Sequence, residues 1–326
     1  MAAAVLLGLF PAQTPAPLVY RAGEGWSYEP VSGGKWTRTR AKDQLEVAEK
    51  AFEEKNYSLA LKASRRTVRV WPLSDYAPAA QYLAGRCYEM KKQDEKAFKE
   101  YQKLIEKYPK FEKYPEVLER QYEIANRYLD GQWFKLWGYI PFFPSMDKTS
   151  DMYEKVIKNG PYSEVAPNAQ MNIGTAREKQ EDYPLAVKAY ERAADRYHDQ
   201  EKVAADALFK AGLAYQKQAK TAEYDQSVAG QAIDTFTDFV TLYPNEKERG
   251  DEAKEIISSL RTEQAKGSFQ IAQFYEKKKR WRGALVYYNE VVALDPNSQY
   301  AEKARQRIEE LNKRVDEEDA ETNAQK

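Results

Sequence analysis

The chain has 326 residues, in which 51 lysines and arginines balance 51 aspartates and glutamates. A formal charge of zero argues against a protein that lives on nucleic-acid phosphates, whose usual footprint is a large basic excess. One cysteine, Cys87, excludes an internal disulfide framework and a multi-cysteine zinc site, and one histidine, His198, excludes a cooperating histidine pair.

An apolar run over residues 2–10 opens the chain, far short of the ~20 residues of a spanning helix. Residues 1–14 read as a secretory signal whose positive n-region is missing, since the first arginine is Arg21. The chain is therefore expected to be exported, or cytoplasmic if Met1 is the true start. No cysteine follows the run to carry a lipid, so membrane association is expected to be indirect. Residues 15–40, with Pro15, Pro17, Gly23, Gly25, Pro30, Gly33 and Gly34, read as a flexible linker.

The next stretch, to residue 312, is periodic. Pro72, Pro109, Pro161, Pro244 and Pro296 each close an apolar, aromatic stretch, and His198 stands at the equivalent place between the third and fourth. The basic spacing is 37 residues, lengthened where segments are inserted. A small residue and then an aromatic recur 12 and 8 positions before each close: Ala97 with Tyr101, Thr149 with Tyr153, Ala186 with Tyr190, Ala232 with Phe236 and Ala284 with Tyr288; Ala60 with Ser64 holds the place in the first repeat. Each repeat also opens on a small residue: Ala48, Gly85, Ala125, Gly174, Gly212 and Ala272. Small residues let two helices approach closely, aromatics fill the space between, and proline stops the second helix. The pattern predicts an all-α tetratricopeptide (TPR) solenoid, right-handed and superhelical, of about six helical hairpins. Asn297 and Ser298 are placed to cap a C-terminal covering helix that carries Ala301, Ala304, Ile308 and Leu311. The tail, 313–326, is polar, acidic from Asp316 on, and expected to fray.

Three stretches of this chain resemble one family, the outer-membrane β-barrel assembly lipoprotein BamD (YfiO). They are Ala51–Ala60 with Tyr108-Pro109, the long insertion in repeat 3, and Phe269–Lys277 followed by Trp281–Leu285 and Asp295–Ser298. The resemblance implies a scaffold on the periplasmic side of the outer membrane. It further implies a barrel partner bearing polypeptide-transport-associated domains, with the N-terminal repeats receiving unfolded barrel substrates and the C-terminal repeats docking the partner. Two departures stand out: the family's lipobox cysteine is absent, and six repeats replace its usual five.

Chemistry is sparse. No P-loop, dinucleotide fingerprint, nucleophile elbow or double-histidine metal motif occurs, so neither an enzyme nor a cofactor or metal is expected. Cys87 reads as a packed small residue and His198 as a helix-end partner. The function read from the chain is non-catalytic protein binding. Its peptide groove is expected on the first helices of repeats 1–3, at Lys42, Leu45, Glu49, Phe52, Tyr82, Arg86, Glu89, Tyr122 and Asn126. Leu45 and Phe52 read equally well as packing between hairpins. On the groove reading, Tyr82→Ala and Arg86→Glu weaken peptide binding without loss of stability. A second surface, for a partner or a membrane interface, is expected at the aromatic insertion 130–146, through Trp133, Phe134, Trp137, Tyr139, Phe142 and Phe143. Folded back, the same rings would form a small satellite core. Arg280, Trp281 and Arg282 end a basic run that suits either an exposed turn or an acidic partner. The competing function is a generic TPR adaptor of another complex, such as one for cell-wall synthesis or division.

Overall fold

The computed structural model describes residues 18–23, 25–28, 36–136, 140–221 and 226–324; the signal-like run 1–14 lies outside them. The chain forms two compact units, Met1–Ser145 and Met146–Lys326. In the first, the strands β1 (Leu18–Arg21) and β2 (Gly25–Tyr28) pair antiparallel. Five helices follow: α1 (Ala41–Glu53), α2 (Tyr57–Val70), α3 (Ala77–Met90), α4 (Asp94–Lys107) and α5 (Tyr114–Leu129). A second hairpin, β3 (Phe134–Leu136) with β4 (Ile140–Phe143), closes the unit. The second unit runs α6 (Met146–Asn159), α7 (Ala166–Glu178), α8 (Tyr183–Arg196), α9 (Glu201–Thr221), α10 (Gln226–Leu242), α11 (Lys247–Lys277), α12 (Trp281–Leu294) and α13 (Gln299–Ala324).

The thirteen helices among the described residues are the six expected pairs and the covering helix. Within each unit every helix packs on the next, and first helices of successive pairs also touch, as α1 does α3 and α7 does α9. The fold is an all-α TPR array. The two helices of repeat 3, α5 and α6, fall in different units. No described helix is long and apolar enough to cross a membrane.

Every residue of the small-and-aromatic pattern is buried, from Ala60 and Ser64 at 0% exposure to Tyr288 at 1%. The reason is steric. A Cβ built on Gly85 would lie under 3.0 Å from the Tyr101 ring, and one on Gly174 would meet the Tyr190 ring as closely. On Gly212 it would reach the Phe236 ring at 2.8 Å. In repeats 2, 4 and 5 the ring of the second helix thus lies against backbone that only glycine leaves bare.

A polar companion recurs four residues before the small residue: Gln44, Gln81, Gln121 and Gln170, all buried. Gln81 Nε2 donates to the Glu100 carbonyl at 3.2 Å, and Gln170 Nε2 to the Ala189 carbonyl at 3.1 Å. Each therefore ties a first helix to the residue just before the ring it must seat. Between repeats, the Tyr108 hydroxyl donates to the Pro72 carbonyl at 2.9 Å and the Tyr197 hydroxyl to the Pro161 carbonyl at 3.4 Å, both 36 residues back. The turns inside four hairpins place Lys55, Lys92, Glu181 and Lys279 at φ between 54° and 60°. Side chains adopt this left-handed backbone only at a cost, which the flanking helices hold in place.

Two stretches differ from the sequence reading. The segment read as a linker holds the β1–β2 hairpin: Gly23 and Gly25, at φ 77° and 73°, supply the tight reversal, and the Asp75 N–H donates to the Gly23 carbonyl at 2.7 Å. The tail expected to fray instead continues α13 to Ala324, because no proline or glycine interrupts its helix-forming residues. The Ser298 hydroxyl accepts from the Ala301 N–H at 3.1 Å, so the helix starts at the expected cap, and Ala301, Ala304 and Leu311 are buried as expected.

The glycine seats yield a paired prediction. Gly174→Leu drives a side chain into Tyr190 and lowers stability by about 3 kcal/mol or more. Gly230→Ala on α10, where an added Cβ meets nothing within 4 Å, raises it by about 0.5–1 kcal/mol. Thermal unfolding of the two variants beside the parent protein reads both signs.

Candidate functional site

In the N-terminal unit, α3 carries Tyr82, Arg86 and Glu89 at helical spacing, and α5 carries Glu116, Arg120 and Arg127 on one face. With Asp94 at the start of α4 they line or adjoin a cavity of about 970 Å³. Glu89 is its centre. One carboxylate oxygen accepts from the Tyr101 hydroxyl at 2.6 Å and faces Arg86 and Arg120, each at 3.5 Å, while the other meets Arg127 at 3.3 Å. Arg127 also grips Asp94 through two nitrogens at 3.1 Å, and the Gln132 side chain donates to Asp94 at 2.8 Å. Burial, and then the Glu89 carboxylate beside it, hold the Tyr101 phenol well above its ordinary range. The result is a rigid, charge-balanced wall. Its rim is different: Met90 is 47% exposed and Trp133 50% exposed.

Tyr82 is a correction to the groove reading. It is 9% exposed, its ring lies 6.0 Å from Tyr101 and 5.8 Å from Phe111, and its hydroxyl donates to Glu116 at 2.5 Å while accepting from Arg120 at 3.0 Å. Arg86 in turn donates to that hydroxyl at 3.2 Å and lies 5.8 Å over the Phe52 ring. These side chains hold the wall together instead of presenting a free surface. Glu116 is held below the ordinary carboxylate range: burial opposes this, but the hydrogen bonds from Tyr82 and Arg120 prevail.

The other expected groove residues divide. Leu45 is core at 6% exposure, Phe52 is half-buried against Tyr57, and Lys42 and Glu49 are exposed on α1. Partial burial, with Glu46 and Glu53 one turn to either side, raises Glu49 above the usual carboxylate range. Tyr122 and Asn126 are half-buried on α5, away from the cavity. Arg120, Arg127 and Asp94, which the sequence reading missed, complete the site; the signal was the charge spacing 116, 120, 127 on one helix.

The aromatic insertion is divided as well. Phe134 folds back at 3% exposure and stacks on Tyr128, ring centres 4.1 Å apart, while Trp133 beside it reaches the cavity rim. Phe142 and Phe143 belong to β4, and Trp137 and Tyr139 lie outside the described residues. In the C-terminal unit, Arg280 and Arg282 are exposed at the α11–α12 turn, and Trp281 is half-buried under the Arg314 guanidinium, 5.1 Å away. Beside them a cavity of about 630 Å³ is lined by Glu276, Lys277, Arg307 and Arg314. Its one acid, Glu276, accepts from the Tyr288 hydroxyl at 2.7 Å and pairs with Arg307. The Tyr288–Glu276 and Tyr101–Glu89 bonds each span 12 residues.

Cys87 is fully buried, and burial pushes its thiol up to about 12; His198 is exposed, with Nδ1 at 2.9 Å from the Asp195 carbonyl. Among the described residues no group of three or more His, Cys, Asp and Glu side chains is placed to hold a metal ion.

Two predictions follow from these environments. Tyr82→Ala lowers stability by about 3 kcal/mol in thermal or urea unfolding, where a free groove residue would leave it unchanged. Cys87 reacts with a chromogenic disulfide reagent at neutral pH only after denaturant unfolds the protein.

Solved structures with similar repeats include the C-terminal part of a TPR repeat-containing protein from Cytophaga hutchinsonii, at 16% identity and a TM-score of 0.37, covering 81% of this chain and 87% of that one. MamA from Desulfovibrio magneticus RS-1 is 14% identical over 66% of this chain and 99% of that one, with a TM-score of 0.33. A TPR protein from Parabacteroides merdae is 11% identical, covering 83% of this chain and 98% of that one at a TM-score of 0.31. No curated protein matches the sequence. A tetratricopeptide repeat model matches residues 79–110, which take in most of α3 and all of α4. The YfiO model, described as an outer membrane lipoprotein, matches residues 145–324, nearly the whole C-terminal unit. With more than half of its length matched, the chain belongs to the YfiO (BamD) family of outer membrane lipoproteins.

Proposed function

We propose that this protein is a non-catalytic scaffold of outer-membrane β-barrel assembly, working on the periplasmic side of that membrane. The observation that carries the reading is the family match across the whole run from α6 to α13. In this reading the C-terminal unit docks the barrel partner with its polypeptide-transport-associated domains, and the N-terminal unit receives an extended segment of unfolded barrel. The cavity between α3 and α5 supports the second role. Its charged wall is already paired internally, so a segment can lie on it without ordering loose side chains. Met90 and Trp133 offer apolar anchors at its rim.

The assembly role is tested by mixing the purified chain with the purified barrel partner and following co-elution in detergent. Separate elution rejects the reading and favours an adaptor of another complex. The peptide site is tested by fluorescence anisotropy with a labelled, aromatic-rich barrel segment. Trp133→Ser and Met90→Ser are each expected to weaken binding about ten-fold while leaving the unfolding temperature unchanged. Unaltered affinity in both variants removes the peptide from this cavity.

A further inference from the structure

A strongly basic face lies in the N-terminal unit, outside the site just described. On α2, Lys62, Arg65, Arg66 and Arg69 recur at the spacing of one helix face, and on α4 Lys103 and Lys107 stand one turn apart. Together they line a cavity of about 720 Å³. Its single acid, Glu100, is buried and already engaged by Gln81 at 2.6 Å, Lys103 at 3.1 Å and Arg65 at 3.6 Å. Five of the six cations are exposed; Arg66 is half-buried, bonded to Gln44, and its guanidinium is eased below its ordinary range by burial and by Arg69. In a chain of zero net charge, this concentration of one sign is local, with Glu100 the one acid among the described residues that line the cavity.

The same face continues into exposed apolar side chains. Pro72 lines the basic cavity, and the next residue, Leu73, is 87% exposed. The β1–β2 hairpin sits on this loop through the Asp75 to Gly23 hydrogen bond, with Gly25 beside the Leu73 Cβ. It carries Tyr20 and Trp26, 61% and 65% exposed, their rings 5.3 Å apart. A protein groove would bury such rings or surround them with acid-paired charge. Exposed tyrosine and tryptophan beside a row of lysine and arginine instead match the two layers of a bilayer surface, where aromatic rings settle at headgroup depth and cations meet phosphates.

We infer that α2, α4 and the β1–β2 hairpin form a binding face for an anionic phospholipid bilayer, with Lys62, Arg65, Arg69, Lys103 and Lys107 on the phosphates and Tyr20, Trp26 and Leu73 at the interface. Each basic side chain near such a surface strengthens adsorption about five-fold, and salt screens the effect.

The test is co-sedimentation of the 326-residue chain with phosphatidylcholine vesicles, with and without phosphatidylglycerol. Binding is expected only with phosphatidylglycerol and to fall as salt rises. Lys62→Gln combined with Arg69→Gln, neither of which holds Glu100, should weaken it about thirty-fold, and Trp26→Ser several-fold, with unfolding temperatures unchanged. Lys279→Gln with Arg282→Gln, at the basic turn of the C-terminal unit, should have no effect. The inference is overturned by equal binding to both vesicle types, by no binding, or by binding that survives the double substitution. It is equally overturned if the C-terminal pair carries the effect, or if polyglutamate binds tightly where vesicles do not, which would assign the face to an acidic polypeptide.

Discussion

An aromatic ring lying on a bare stretch of helix backbone is the contact on which the rest of this architecture depends. It sets how near the two helices of a repeat can come, and nearness decides which other side chains can bridge them. With the Tyr101 ring seated on Gly85, Gln81 reaches the Glu100 carbonyl and Glu89 reaches the Tyr101 hydroxyl. Were the helices a few ångströms further apart, both bonds would be lost and buried polar groups left unpaired, a larger loss than the missing dispersion contacts. The repeat therefore couples its apolar packing to its polar network.

That coupling shapes what the N-terminal unit can offer. The charges on the wall between α3 and α5 are paired with one another: Glu89 and Asp94 are shared among Arg86, Arg120 and Arg127, with Tyr82 bridging Arg120 to Glu116. Charges held in this way supply rigidity and exclude wrong partners more than they attract right ones. Attraction falls to groups outside the network, which here are the apolar rim and the exposed cations on α2 and α4, of which a single buried carboxylate, Glu100, meets only Arg65 and Lys103. The unit separates holding from meeting.

The sequence made the helices legible because each repeat breaks at proline or histidine and carries small and aromatic residues at fixed offsets, and the small and aromatic residues all proved buried. Long insertions did not obscure the pattern, since α9 and α11 simply lengthen. The site was less readable. Tyr82 and Arg86 occupy groove positions by count, but whether such residues face a ligand or each other depends on α5, whose Arg120 and Glu116 arrive from more than 30 residues away. The buried glutamines recur at one register and could have been seen; polarity concealed them, because glutamine is ordinarily a surface residue. The β1–β2 hairpin was hidden for a different reason: proline and glycine mark a tight reversal and a loose tether with the same letters.

The glycine seats also restrict how such an array can be rearranged by recombination. In repeats 2 and 4 the glycine stands on the first helix and the ring on the second, whereas in repeat 6 Gly283 on α12 faces the Tyr275 ring of α11. A first helix moved alone from repeat 6 to repeat 4 would bring Ala272 against Tyr190, a methyl group where there is no room for one. Ring and seat must travel together, so the smallest piece of this protein that can be duplicated, exchanged or lost without repair elsewhere is a whole hairpin.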